Sequence, residues 1–204
     1  MKRYIALGLV LALAAALLTG CAEPERDPAA MAVRIGQTVY TNEQVSIYRQ
    51  IYLAQSQAAK AYAAAKGEAA GGAGNLPHAA MAQALAQMEV AAAEAQRLQL
   101  PVDYEAALQN ARQQYSLYED AAPDTPERAY YDAFHAALTQ QGITRALYEE
   151  YAQTYCRLDA GMAALVEHYA EENGFDDVNS DDFAQAFSGY LKELVDKADI
   201  EYGP

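Results

Sequence analysis

Few side chains in this sequence could carry out covalent or metal chemistry. The 204 residues include two cysteines, Cys21 and Cys156, and three histidines, His78, His135 and His168. Cys156 lies in a stretch of helical periodicity, where a thiol is expected to be a small buried apolar group rather than a nucleophile. The sequence contains no His-Glu-x-x-His, Gly-x-Ser-x-Gly or glycine-rich phosphate motif. We therefore expect a protein that is not an enzyme, with no catalytic residue, no metal site and no cofactor.

One acidic stretch, Asp177-Val178-Asn179-Ser180-Asp181-Asp182, begins like a calcium loop, with oxygen-bearing side chains at alternate positions. Its sixth position should be glycine but is Asp182, and its twelfth should be a bidentate glutamate but is Ser188. These departures favour a second interpretation, in which the stretch caps the following helix and complements the positive end of its dipole.

The thiol of Cys21 is placed where it could carry a lipid. Lys2 and Arg3 precede an apolar run over residues 5–18, which has the length of a secretory signal and is too short to be a stable membrane span of ~30 Å. The run ends in Leu18-Thr19-Gly20-Cys21, which resembles the lipobox of bacterial lipoproteins. This resemblance implies cleavage before Cys21 and acylation of its sulfur. The alternative is an ordinary signal peptide followed by a chance cysteine.

The lipobox interpretation makes residues 1–20 a lipoprotein signal peptide and residues 21–32, which hold two prolines and no periodicity, a flexible spacer. The protein would then be extracytoplasmic and lipid-anchored to the bacterial cell membrane through Cys21. Removal of residues 1–20 leaves 12 basic and 28 acidic residues, a net charge of −16. Because so acidic a chain repels polyanions, no nucleic acid is expected among its partners.

The rest of the chain, residues 33–204, is predicted to be one mostly helical domain. Alternation on either side of Gly36-Gln37 predicts two short extended segments, and residues 199–202 predict a third. Between them, apolar stripes with three- and four-residue spacing predict six helices, with capping residues at Thr41 or Asn42, Asp103, Thr125, Thr144 and Ser180. The predicted helices cover residues 42–66 and 78–98, then four further segments that begin near residues 104, 126, 145 and 181.

The order of these elements resembles that of the SurA/PrsA-type extracytoplasmic chaperones. The opening Val33-x-Ile35-Gly36-x-x-Val39-Tyr40-Thr41 is similar to the family's first strand and turn. Residues 84–102 resemble the helix that leads into its Lys-Leu-Gly-Ile-x-Val turn, and residues 141–151 resemble its Gly-Ile/Leu-Thr helix start. Residues 190–202 are similar to its closing helix and strand. The resemblance spans roughly residues 33–202.

The resemblance implies a SurA N-terminal or trigger-factor-like peptide-binding domain whose opening and closing strands pair. We therefore predict that Arg34-Ile35 and Val39-Tyr40 lie beside Ile200-Glu201-Tyr202. The parvulin prolyl-isomerase domain that many members insert is missing from the sequence, and none of the three histidines has a parvulin-like context. This absence argues against a third interpretation, a degenerate prolyl isomerase.

The implied function is that of a membrane-tethered holdase, a chaperone that binds unfolded or newly secreted polypeptides and keeps them from aggregating. A lipoprotein adaptor that docks one specific envelope protein is the alternative, and nothing in the sequence separates the two. Methionine and tyrosine suit a surface that adapts to varied partners. The candidate residues for an apolar peptide-binding cleft are Tyr48, Tyr52, Tyr62, Met81 and Met88, with a plain core role as the alternative.

Overall fold

The computed structural model describes residues 26–69 and 76–203. They form β1 (Met31–Ile35), β2 (Thr38–Thr41), α1 (Asn42–Ala65), α2 (His78–Arg97), α3 (Tyr104–Glu119), α4 (Pro126–Gln140), α5 (Arg145–Asn173), α6 (Asp181–Lys197) and β3 (Ile200–Tyr202). The predicted fold class, about six helices with paired terminal strands, is confirmed. None of these helices combines the length and apolar composition that crossing a bilayer requires. The predicted signal peptide lies outside the described residues.

The three strands form an antiparallel sheet in the order β2-β1-β3. Arg34 of β1 lies opposite Glu201 of β3, as predicted, and opposite Val39 of β2 on its other side. The prediction that Val39-Tyr40 also lies beside β3 is wrong, because β1 separates the two outer strands. A short turn through Gly36 places β2 against β1 first, so β3 pairs with the edge of β1 that remains open.

The ordered chain begins earlier than the predicted boundary at residue 33. Strand β1 starts at Met31, and the turn before it contacts the start of α1. Asn42 N donates to Ala30 O (2.9 Å), Glu43 N donates to Pro28 O (3.0 Å), and Asn42 Nδ2 donates to Asp27 O (2.9 Å). The carbonyl groups of the turn thus accept from the unpaired amides of a helix start, so residues 27–32 are not a flexible spacer.

Four of the six helices in the described chain begin at a residue that was predicted to cap them. Thr41, rather than Asn42, is the N-cap of α1, because Gln44 N donates to Thr41 Oγ1 (3.3 Å) and Thr41 N donates to Gln44 Oε1 (2.9 Å). The hydroxyl oxygens of Thr125, Thr144 and Ser180 accept backbone N–H groups in the same way at the starts of α4, α5 and α6. Local sequence therefore determined where these helices start.

The described chain divides into two compact units rather than the single predicted domain. Unit 1 comprises residues 26–45, 77–104 and 157–203, and unit 2 comprises residues 46–69, 76 and 105–156. The division could not be read from composition, because the helical periodicity continues through the boundaries at residues 45–46 and 156–157, which lie within helices.

Unit 1 has α2 at its centre, packed against β1 and α6. Most of α2 is buried, and many of its buried residues are alanines. These small side chains let α5 approach closely. A Cβ atom added to Gly161 of α5 would lie 2.8 Å from both Cα and Cβ of Ala92 on α2, which is closer than nonbonded carbon atoms pack.

A buried carboxylate joins three elements of unit 1. Glu89 of α2 is 9% exposed; its Oε1 accepts from the Tyr40 hydroxyl of β2 (2.6 Å) and from Arg157 Nη2 of α5 (2.9 Å). A buried charge is tolerated where it is paired and hydrogen-bonded in this way. Glu89 therefore has a structural role in unit 1.

We predict that Gly161→Ala lowers the free energy of unfolding by about 1–3 kcal/mol, because the added methyl group forces α2 and α5 apart. Urea unfolding followed by circular dichroism measures the change. The matched control is Gly189→Ala on α6, where an added Cβ meets nothing within 4 Å. That variant should gain up to ~1 kcal/mol from helix propensity. Equal stabilities for Gly161→Ala and the parent would contradict the close packing.

Asp159 of α5 has a pKa that burial raises from 3.8 to about 6. Between these two values the folded state binds more protons than the unfolded state, so stability falls as pH rises through this window and the full penalty applies above it. We predict that Asp159→Asn raises the free energy of unfolding by about 1–3 kcal/mol at pH 7, and that the difference nearly vanishes near pH 4.

Unfolding in urea at the two pH values measures this effect. Glu167→Gln, two turns later on the same helix and exposed, is the control and should change stability little at either pH. A destabilised Asp159→Asn protein at pH 7 would show instead that the carboxylate is favourably solvated or paired.

Candidate functional site

The distinctive side chains of unit 2 are its tyrosines. Ten of the chain's 16 tyrosines belong to this unit, and all but the buried Tyr48 are half-buried. A half-buried tyrosine presents an apolar ring together with a polar tip at the surface. The half-buried set is Tyr52, Tyr62, Tyr115, Tyr118, Tyr130, Tyr131, Tyr148, Tyr151 and Tyr155.

Unequal burial of the helices leaves these rings at the surface. A core made of parts of α1 and α4 with the start of α5 buries Ile51, Phe134, Leu138 and Ile143. Helix α3 contributes no buried residue, although it is sixteen residues long. Its ring and alkyl groups lie against the core and also contact solvent, and Leu117 is 63% exposed. Unit 2 therefore has an incompletely covered apolar side along α3.

Five of these tyrosines form a cluster around the buried Phe134. We call Tyr115, Tyr118, Tyr130, Tyr131 and Tyr148 the tyrosine cluster. Its neighbouring ring centroids lie 5.2 Å (Tyr118–Tyr130), 5.4 Å (Tyr115–Tyr131) and 5.9 Å (Tyr115–Tyr148) apart, and Phe134 lies 5.2 Å from Tyr148. All but the Tyr115–Tyr148 pair are edge-on, an arrangement that adds stabilisation beyond area burial.

Charged groups border the cluster at the end of α3. Glu119 accepts a hydrogen bond from the Tyr131 hydroxyl (2.9 Å) and lies 3.5 Å from the guanidinium of Arg145. Arg128 Nη1 donates to the Glu119 carbonyl oxygen (3.3 Å). On α1, the Tyr62 hydroxyl donates to Glu127 of α4 (3.4 Å). The hydroxyl groups of Tyr131 and Tyr62 are thus hydrogen-bonded to carboxylates.

Two phenols of the cluster, those of Tyr131 and Tyr148, have raised pKa values and stay protonated at neutral pH. Burial, followed by the nearby Tyr130, raises the pKa of Tyr148 above that of an exposed tyrosine. Burial, followed by the hydrogen bond to Glu119, does the same to the pKa of Tyr131. A neutral phenol donates one hydrogen bond and carries no charge. The cluster is therefore suited to contact with apolar and amide groups rather than to acid-base chemistry.

The five predicted peptide-binding residues do not form one cleft. Tyr48, Tyr52 and Tyr62 belong to unit 2, whereas Met81 and Met88 belong to unit 1. Met81 and Met88 are 2% and 4% exposed, as core residues of α2. Tyr48 is 5% exposed and packs edge-on against Tyr151, with ring centroids 4.8 Å apart. Met81, Met88 and Tyr48 thus occupy the core, and Tyr52 and Tyr62 remain half-exposed.

Helical periodicity predicts that Tyr115, Tyr118 and Tyr130 lie on apolar stripes, but it does not identify the tyrosine cluster as a site. Eight tyrosines lie between residues 104 and 155, and that density was the available signal. Periodicity cannot distinguish a tyrosine closed into a core from one left at its edge, because both occupy the same helix face.

The remaining candidate groups have local roles in the described chain. His78 is buried, with Nε2 3.1 Å from Asn42 O, while His135 stacks on Tyr131. Asp177 Oδ1 accepts from Asn179 N (2.9 Å), and Ser180 caps α6, which agrees with the capping interpretation of this stretch. No three or more histidine, cysteine or acidic side chains come together as a metal site within the residues described. Cys21 lies outside those residues.

Comparison of this chain with protein-family models, with curated proteins and with solved structures finds no match. The similarity of its opening, middle and closing segments to SurA/PrsA-type chaperones therefore stays a prediction.

Proposed function

We propose that this protein is a membrane-tethered extracytoplasmic chaperone of the holdase type, which binds unfolded or newly secreted polypeptides. The observation that carries the proposal is the row of half-buried tyrosines in unit 2, next to a helix, α3, that buries none of its residues. A holdase needs an apolar surface that is stable without a partner and still open to one. Half-buried tyrosines meet both requirements, because part of each ring is packed against the unit while the rest offers contact area to a partner.

The surface also suits binding without sequence selection. Tyrosine contributes a large contact area at the cost of ordering two side-chain torsions. The mixture of ring faces and hydroxyl groups accepts both apolar side chains and peptide amides. Such contacts favour weak and promiscuous binding, which permits release of a polypeptide once it can fold.

The tether in this proposal is the lipid on Cys21. A carboxylate-rich chain of net charge −14 does not adhere to anionic head groups by itself, so acylation would be the source of membrane attachment. We propose binding, not catalysis, as the activity, since the charged groups that border the tyrosine cluster are paired with one another. The described part of unit 1 begins at residue 26, five residues after Cys21, so the protein would work close to the membrane.

The first prediction of this proposal is that residues 22–204 suppress the aggregation of a denatured model protein at a near-stoichiometric ratio. Light scattering after dilution from denaturant measures it. The double variant Leu117→Asp with Tyr118→Asp should need about tenfold more protein to suppress aggregation to the same extent, because two charges on α3 disfavour apolar contact. Neither residue is buried, so circular dichroism should show an unchanged helical fold.

The control is Val39→Asp, which places a charge at another exposed apolar residue, in the sheet of unit 1. It should leave suppression intact. A folded protein that does not suppress aggregation would overturn the holdase proposal and favour the adaptor, a module that docks one specific envelope protein. Loss of suppression in the Val39→Asp control alone would move the binding surface to unit 1.

A second prediction concerns the anchor. In cells fed an alkyne-labelled fatty acid, the full chain should acquire the label and partition into membranes. Cys21→Ser should abolish both, because serine lacks the thiol that forms the thioether. Cys156→Ser is the control and should keep the label. A labelled Cys21→Ser protein, or an unlabelled parent, would contradict lipidation at Cys21.

A further inference from the structure

The surface of unit 2 contains a repeated arrangement in which one cation is close to both a tyrosine ring and a carboxylate. Arg145 lies 5.3 Å from the ring centroid of Tyr115, and its Nε lies 3.0 Å from Glu149. Arg128 lies 5.5 Å from the ring centroid of Tyr131, and its Nε lies 2.8 Å from Asp132. Both tyrosines belong to the tyrosine cluster.

A third example lies at the end of α1. Lys66 Nζ is 5.7 Å from the ring centroid of Tyr62 and 2.8 Å from Glu68. Tyr62 also reaches Glu127 of α4 through its hydroxyl group. In each arrangement the ring face supplies the negative side of its quadrupole and the carboxylate supplies a full charge, so a cation is attracted from two sides.

The cations that occupy these positions are held weakly. Their side chains are between one third and about one half exposed, at 36% for Arg128, 42% for Lys66 and 55% for Arg145. Exposed ion pairs contribute little to stability, since water screens them and ordering two long side chains costs entropy. Each cation can therefore rotate into solvent and leave the ring and the carboxylate to a cation from another chain.

We infer that the segments bound best by unit 2 are basic ones, in which arginine or lysine alternates with apolar residues. This inference rests on the proposed holdase function and names its preferred class of polypeptide. The guanidinium or ammonium groups of the segment would replace Arg128, Arg145 and Lys66, while its apolar residues would contact the exposed side of α3. The net charge of −14 attracts such a segment over a distance and repels an acidic one.

The test compares two unstructured peptides, one with repeating Arg-Leu-Ser units and one in which glutamate replaces each arginine. The full chain is held in nanodiscs of zwitterionic lipid, to which neither peptide is attracted by charge. Fluorescence anisotropy should give a Kd about tenfold lower for the basic peptide at low ionic strength, as expected for two or three exposed cation–π contacts. The preference should shrink at high ionic strength but remain measurable.

Substitutions in the two units show which residues produce the preference for the basic peptide. Tyr115→Leu with Tyr131→Leu should weaken binding of the basic peptide about fivefold, whereas Tyr115→Phe with Tyr131→Phe keeps the ring faces and most of the affinity. Glu68→Gln with Asp132→Asn removes exposed carboxylates only, and should weaken the basic peptide without affecting the fold. Glu171→Gln with Glu172→Gln in unit 1 removes the same amount of charge elsewhere and should leave the preference intact.

Equal affinity for the two peptides would overturn the inference, as would a preference that survives the leucine and carboxylate variants or disappears in the unit 1 variant. The holdase proposal is tested by a different result, the suppression of aggregation. A protein that suppresses aggregation of acidic and basic client proteins equally keeps that function and loses only the preference. A protein that suppresses neither loses the function itself.

Discussion

The pairing of β1 with strands from both ends of the described chain is the constraint on which unit 1 depends. A lone strand in a helical protein would leave its backbone groups without partners, and β1 avoids this by accepting β2 on one edge and β3 on the other. Arg34 strengthens the second pairing through ion pairs with Asp199 and Glu201, both at 3.0 Å. These ion pairs are exposed, so the ladder and the burial of Val33 contribute most of the stability.

The two units use different residues to fill their interiors, and this difference underlies the proposed function. Unit 1 fills its interior with small residues: the alanines of α2 and Gly161 of α5 allow close helix contact. Unit 2 uses tyrosines, whose hydroxyl groups have to reach water or a polar partner. Because these hydroxyl groups need water or a polar partner, the tyrosine rings cannot cover an apolar core completely. The result is the partly open side along α3, where a polypeptide could be held.

Charge and ring faces act together in the preference that we infer for basic segments. An acidic protein would attract any cationic chain without selecting a place for it. The rings of Tyr115 and Tyr131 supply the place, because each already holds an arginine against a carboxylate. The acidic stretch of unit 1 has no such rings paired with cations in the described structure, so it is expected to contribute attraction over a distance rather than a docking position.

The sequence by itself determined the helices and their starts, since capping by Thr125, Thr144 and Ser180 is local chemistry between residues three apart. It also indicated that the terminal strands pair, because isolated strands need partners. Only the tertiary structure decided that β1 is the central strand, that the chain forms two units, and that Met81 and Met88 are core while Tyr115 and Tyr131 are at the surface. Periodicity identifies the apolar face of a helix, but how completely that face is covered depends on residues distant in sequence.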